Sequence, residues 1–175
     1  MTAYIKVAVG IGTVALLLQV SVLAAQPDKV TPAAPIPPQL LAAKRVFIGN
    51  AGGDERRDAV IFNGGPERAY DEFYAAVKTA GRYEIVGSPA EADLLFEIGF
   101  LAPIVSGTGA KTSPLSVMPY DPQIHLAIRD PKTNALLWAF TEHVQWAILQ
   151  GNRDRNFEQS LARIVSDLEE LSRSR

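Results

Sequence analysis

The chain has 175 residues, with 17 basic and 19 acidic side chains for a net charge of −2, 47% hydrophobic residues and no cysteine. Its basic residues are scattered (Arg56 with Arg57, Arg153 with Arg155, Arg173 with Arg175), which argues against a basic face and against nucleic acid as a partner. Without cysteine there are no disulfides, thiolate metal sites or acylated lipobox, so a hydrophobic core must supply the stability.

Residues 1–6 end in Lys6, and residues 7–25 form an almost unbroken apolar run closed by the small-residue signal Val22-Leu23-Ala24. That order predicts a secretory signal peptide over residues 1–24 and a periplasmic or secreted protein. The run is about 19 residues, close to the ~20 that span a bilayer, so an uncleaved N-terminal anchor is the alternative. Gly10, Gly12, Thr13, Gln19 and Ser21 dilute its apolarity, and Gln26-Pro27-Asp28 follows where an anchor usually has basic flanks. Both features favour cleavage and no membrane span afterwards. Pro27, Pro32, Pro35, Pro37 and Pro38 then read as a semi-rigid linker over 25–39, leaving one domain over 40–175.

Within that domain, residues 44–49 (KRVFIG) predict a first strand, and the following Asn50 to Asp54 a loop. Pro66 opens a helix whose stripe is Ala69, Tyr70, Phe73, Ala76, Val77 and Ala80, stopped by Gly81. Residues 83–86 are a second strand, Ser88-Pro89-Ala90-Glu91 a capped short turn, and residues 94–101 a third strand. Residues 123–129 and 135–144 flank the turn-rich Asp130 to Asn134 and predict a hairpin. Pairing Arg129 with Ala135 puts Ile124, Leu126 and Ile128 on one face with Leu136, Trp138 and Phe140. Phe157, Leu161, Ile164, Val165, Leu168 and Leu171 form the stripe of a last helix, for which Asn152 and Asp154 are candidate caps. The expectation is an α+β domain: a mainly antiparallel sheet of about five strands in β-α-β-β-β-β order, with two long helices packed on one face.

Several of these residues have a recurring order. Phe73 with Val77, Arg82-Tyr83-Glu84-Ile85-Val86, the step Ser88 to Asp93, the strand through Phe100, Asp130-Pro131-Lys132-Thr133 and Leu137-Trp138 are similar to small exported envelope domains such as the TolB amino-terminal domain. The resemblance spans residues 70–171 and implies a periplasmic α+β sandwich with a non-catalytic role in assemblies. It implies no site residue, and the β-propeller that accompanies the TolB domain is missing.

Candidate chemistry is sparse. His125 and His143, the only histidines, share a face, but in the register above His125 lies opposite Ala139, about 13 Å along the strand from His143. No metal site is expected from that spacing. Glu142 has core parity and is expected to meet an arginine at the rim. Gly107-Thr108-Gly109-Ala110-Lys111-Thr112 has alanine where a phosphate loop needs glycine, and Pro114 blocks the helix that should follow. Gly49 to Gly53 lacks dinucleotide spacing, and Ser88 and Ser106 lack a nucleophile-elbow frame. Trp138 is assigned to the core and Trp146 to the rim. No catalytic residue, cofactor or metal ligand is therefore expected.

Two long irregular segments remain, residues 50–64 and 102–121. The second carries Ile104, Val105, Leu115, Val117, Met118 and Tyr120, more apolar than a solvated loop requires, and is a candidate partner-binding loop. The leading expectation is a non-catalytic exported module that binds a protein or other envelope component. The alternatives are a hydrolase built on Asp54, Asp121 and Glu142, and a lipid or small-molecule carrier with a cavity between sheet and helices.

Overall fold

Alternating burial along the strands fixes the architecture in the computed structural model, which describes residues 35–53, 62–103 and 120–173. The expected signal peptide, most of the linker, and Ile104, Val105, Leu115, Val117 and Met118 lie outside the described residues. Residues 35–175 belong to one compact unit.

In chain order the elements are α1 (Pro38–Ala42), β1 (Arg45–Gly53), α2 (Arg68–Ala80), β2 (Glu84–Ile85), a 3-10 turn (Pro89–Glu91), β3 (Leu94–Leu101), β4 (Gln123–Arg129), β5 (Leu136–His143) and α3 (Gln150–Arg173). The five strands form one mixed sheet in the order β2-β1-β3-β4-β5. β1 runs parallel to both β2 and β3, while β3, β4 and β5 are antiparallel neighbours. The class is α+β, and the helices cover one face.

That face is the even-numbered one. Leu94, Phe96, Ile98 and Phe100 of β3 and Ile124, Leu126 and Ile128 of β4 are buried against Phe73 and Val77 of α2 and Phe157, Leu161, Ile164 and Leu168 of α3. Phe62 stands edge-on to Phe100 at 5.4 Å, and Tyr83 edge-on to Phe96 at the same distance, geometries that suit the ring quadrupoles. Helix α2 ends where Gly81 adopts a left-handed φ of 64° and returns its amide to the Val77 carbonyl. Ser88 caps the 3-10 turn by accepting from the Ala90 amide.

Three expectations change. The segment from Asn50, expected as a loop, continues β1 to Gly53 through a bulge between Asn50 and Gly52. The Asn50 side chain accepts from the Gly52 amide, and Gly52 takes a φ of 82°, so an Asx turn is folded into the strand. Second, the hairpin sits two residues away from the expected register: Ala127 faces Ala139, Ile128 faces Trp138, and Arg129 faces Leu136 across a register shift. The turn is longer than the pairing of Arg129 with Ala135 required, because the Asp130 amide bonds the Ala135 carbonyl and Asn134 takes a φ of 57°. A slip of two residues preserves parity as far as Ile128, so Trp138 and Phe140 share the face of Leu126 and Ile128, although Trp138, expected in the core, is only half-buried. Beyond the irregularity at Arg129, Leu136, expected on that face, is turned out to solvent at 55% exposed. Third, Asp154 does not cap α3. It receives the Asn63 backbone amide at 3.1 Å and side-chain amide at 2.7 Å.

Candidate interaction surface

The register brings three strand ends together at one end of the sheet. Leu101, the last residue of β3, faces Gln123, the first of β4, and Gln123 faces His143, the last of β5. The Asp121 amide donates to the Pro103 carbonyl at 3.0 Å, and the Val144 amide to the Pro122 carbonyl at 2.8 Å. Both feet of the expected partner-binding loop are thus fixed at this end. Tyr120, the one residue of that candidate set within the described residues, is half-buried against the core.

The odd-numbered, open face carries a chain of polar contacts here. Asp121 accepts from His143 Nδ1 at 2.8 Å and from Gln123 Nε2 at 2.6 Å. With its amide nitrogen so engaged, Gln123 offers its oxygen to His125 Nε2 at 3.0 Å, which assigns the proton to Nε2 and leaves Nδ1 to accept from the Thr141 hydroxyl at 3.0 Å. The His143 contact, burial working in the opposite direction, and the Gln123 contact together hold the Asp121 carboxyl below its usual range. Burial, then the charge of His143, pushes the His125 imidazole down, so it is neutral at pH 7.

The histidines are nearer than the sequence register implied. His125 faces Thr141, two residues from His143, and is half-buried rather than exposed. Even so, no group of three or more metal-ligating side chains occurs among the described residues. The contacts tie β4, β5 and Asp121 together.

The carboxylates expected for a hydrolase divide between the faces. Asp121 binds His143 on the open face, whereas Glu142 accepts from Arg163 Nε at 2.7 Å on the helix face. Asp54 lies outside the described residues. For a carrier, the space beside Phe62, Phe100 and Phe157 measures about 10 Å³, too small for a lipid chain.

The most unusual surface is the connection from β5 to α3. Ile148 is 86% exposed, Leu149 67% and Trp146 39%. Their backbone is nevertheless built and not loose. Arg153 donates to the Ala147 carbonyl at 3.2 Å and the Ile148 carbonyl at 2.7 Å, also meets the Gln150 side chain, and lies 4.8 Å over the Trp146 ring. Asn156 donates to the Gln145 carbonyl at 2.8 Å, and the Asn152 and Arg153 amides both bond the Leu149 carbonyl to start the helix. A turn organised in this way holds two aliphatic side chains out in water, where each forfeits the burial it would gain in a core. Trp146 is at the rim as expected, whereas Ile148 and Leu149 belong to no motif or stripe that residue order marks out. Their signal was the uninterrupted apolar character of residues 146–149 at a point where the chain must turn.

A second feature without a sequence signal is Arg68. Its side chain, 10% exposed, binds Glu72 at 2.6 Å, Asp154 at 2.9 Å and Glu158 at 3.4 Å, and stacks 4.4 Å over Phe157. Burial opposes ionisation of Asp154, but the Asn63 amide, Arg68 and Gln150 outweigh it and hold the carboxyl low. This cluster clamps the start of α2 to the start of α3. Its carboxylates are committed to that clamp.

No protein-family model matches the chain, and no curated protein matches it. Solved structures do. A protein of family DUF330 from Xanthomonas campestris aligns with a TM-score of 0.47 and 13% identity over 80% of this chain and 87% of that one. A point variant of the PelC dodecamer from Paraburkholderia phytofirmans gives 0.44 and 14%, covering 71% and 86%. A homologue of a neuraminyllactose-binding hemagglutinin from Helicobacter pylori gives 0.41 and 14%, covering 75% and 87%. These bacterial proteins are similar in outline only, and at such scores the likeness carries no functional assignment. None of the three is a TolB domain, so the TolB resemblance gains no support from them.

Proposed function

We propose that this chain is an exported, non-catalytic module of the bacterial envelope that recognises a protein partner through the end of the sheet bearing the Trp146–Ile148–Leu149 turn. The observation that carries the reading is the exposure of Ile148 and Leu149 on a turn held by Arg153 and Asn156. Exposed aliphatic anchors on a preorganised loop are the usual form of a recognition element, since little ordering entropy is lost on binding. Ile104, Val105, Leu115, Val117 and Met118 are proposed to add to this surface, because Pro103 and Asp121 are joined at the same end. Export rests on the N-terminal sequence pattern.

The test is the double variant Ile148→Glu, Leu149→Glu. Neither side chain belongs to the core, so the unfolding midpoint should stay within about 0.5 kcal/mol of the parent. Partner capture should fall at least about tenfold. Unchanged capture by a folded variant would refute the reading.

A further inference from the structure

Strand β5 has one neighbour in the sheet, β4, so its other side is a sheet edge among the described residues. The hydrogen bonds determine which backbone groups face that edge. The Val144 amide donates to the Pro122 carbonyl, one step beyond the pair in which Gln123 faces His143. Opposed residues of an antiparallel pair bond and miss in alternation. Glu142, Phe140 and Trp138 therefore bond to β4, whereas the amides and carbonyls of Thr141 and Ala139 point away from it. The other side of β4 agrees, because the bond from the Asp121 amide to Pro103 turns its odd-numbered residues toward β3. This open window is bounded at both ends. At one end the ladder shifts between Ile128 and Arg129, and at the other the Ser160 hydroxyl bonds the His143 carbonyl. Residues 138–142 between them contain no proline or lysine, the residues that commonly blunt an edge, and their one charge, Glu142, is held by Arg163. Beside the window, Trp138 and Phe140 line a groove of about 260 Å³ with Leu171, Asp167 and Glu170 of α3. Glu170 is engaged within the molecule. Asp167 is half-buried and has no ion-pair partner among the described residues.

We infer that the β5 edge is a second interaction surface, which takes an extended segment of a partner protein as an added strand. The segment's backbone pairs with Ala139 and Thr141, an apolar side chain enters the groove, and a basic side chain two residues away on the same face meets Asp167. The hydrogen-bond array dictates this occupant. Two amides and two carbonyls, repeating along about 7 Å, match the groups and spacing of another strand, whereas a helix has already spent its own backbone groups. A second copy of the chain fits less well. Pairing β5 with β5 about a two-fold axis lays both α3 helices on the same side of the joined sheet and turns two uncompensated Asp167 carboxylates toward one axis. The inference uses neither Ile148 nor Leu149, so it stands or falls separately from the turn.

The experiment is nuclear magnetic resonance on the exported chain. In the free protein the Phe140 and Glu142 amides should resist hydrogen exchange, and those of Ala139 and Thr141 should exchange at least about tenfold faster. The capped peptide Thr-Lys-Thr-Leu-Thr-Lys-Thr should shift the Ala139 and Thr141 amides and protect them. An N-methylated copy of that peptide, and one with glutamate in place of lysine, should each bind at least about tenfold more weakly. Ala139→Pro removes an outward amide and no bond to β4, so it should keep the fold by circular dichroism and weaken the peptide at least about tenfold. Asp167→Lys should reverse the preference, so that the glutamate peptide binds better than the lysine one. The opposite exchange pattern overturns the inference, as does a protein whose Ala139 and Thr141 amides do not respond to about 5 mM peptide. So does a folded Ala139→Pro protein that binds as the parent does, or a folded Asp167→Lys protein that keeps the parent's preference. Dimerisation of the parent that Ala139→Pro abolishes would assign the edge to a second copy and overturn it too.

Discussion

At Gly99 a single hydrogen atom decides whether β1 and β3 can pair. A Cβ built there would lie 2.8 Å from the Gly52 carbonyl oxygen and 3.2 Å from Ala51 Cβ, both on the bulged strand. Gly99→Ala should therefore cost about 1–3 kcal/mol by overpacking, read by chemical denaturation. Gly87→Ala, where a Cβ meets nothing within 4 Å, provides the control and should change little. His125 gives the molecule a pH dependence with a definite sign. Its folded pKa lies below the unfolded value of about 6.5, so the folded state binds fewer protons as the pH falls past that value. Stability is fully present above about pH 6.5 and is lost as the pH falls through the folded pKa. His125→Gln should flatten the denaturation midpoint between about pH 7 and 5 relative to the parent. An unchanged slope would place the titration elsewhere. Asp121, Asp93 and Asp154, also held low, add a second loss at lower pH, below about 4.

At the scale of elements, α3 holds the layers together by two means, an apolar stripe and the Arg68 clamp. Ile164→Ala, at a fully buried position, should cost about 2–5 kcal/mol, whereas Leu136→Ala at the exposed start of β5 should stay within about 0.5 kcal/mol. Arg68→Ala leaves the shielded Asp154 carboxylate without its cation and should cost about 2–3 kcal/mol. Arg173→Ala, at an exposed pair, should cost little. Most of the elements were legible because apolar spacing has a period. The stripe of α2 with its Gly81 stop, the alternation of β3 and β4, and the stripe of α3 all follow directly from residue order. What failed to show was governed by long-range geometry. The continuation of β1 depends on Gly99 accepting a bulge from the neighbouring strand. The two-residue slip of the hairpin depends on the conformation of its turn, to which alternation is blind. Asp154 looked like a cap because its true partners, Asn63 and Arg68, are some ninety positions away in sequence.

For the whole molecule, the candidate surface was half legible. The feet of the apolar loop could be located from sequence as interruptions of an economical domain. The turn at residues 146–149 could not be told from buried structure, because an apolar run between a strand and a helix has the same composition whether it faces core or water. Only the contacts of Arg153 and Asn156 show it held outward. A module of this kind needs a rigid scaffold and a protruding anchor, and the sheet with the turn held by Arg153 and Asn156 has both. The central claim is that Ile148 makes contact with another protein in the envelope. The most direct measurement is photo-crosslinking in cells, with a photoreactive residue in place of Ile148 and, as control, in place of the exposed Ala162 on α3. The account predicts a discrete higher-mass adduct from position 148 and none from position 162. No adduct at 148, or the same adducts from both positions, would contradict it.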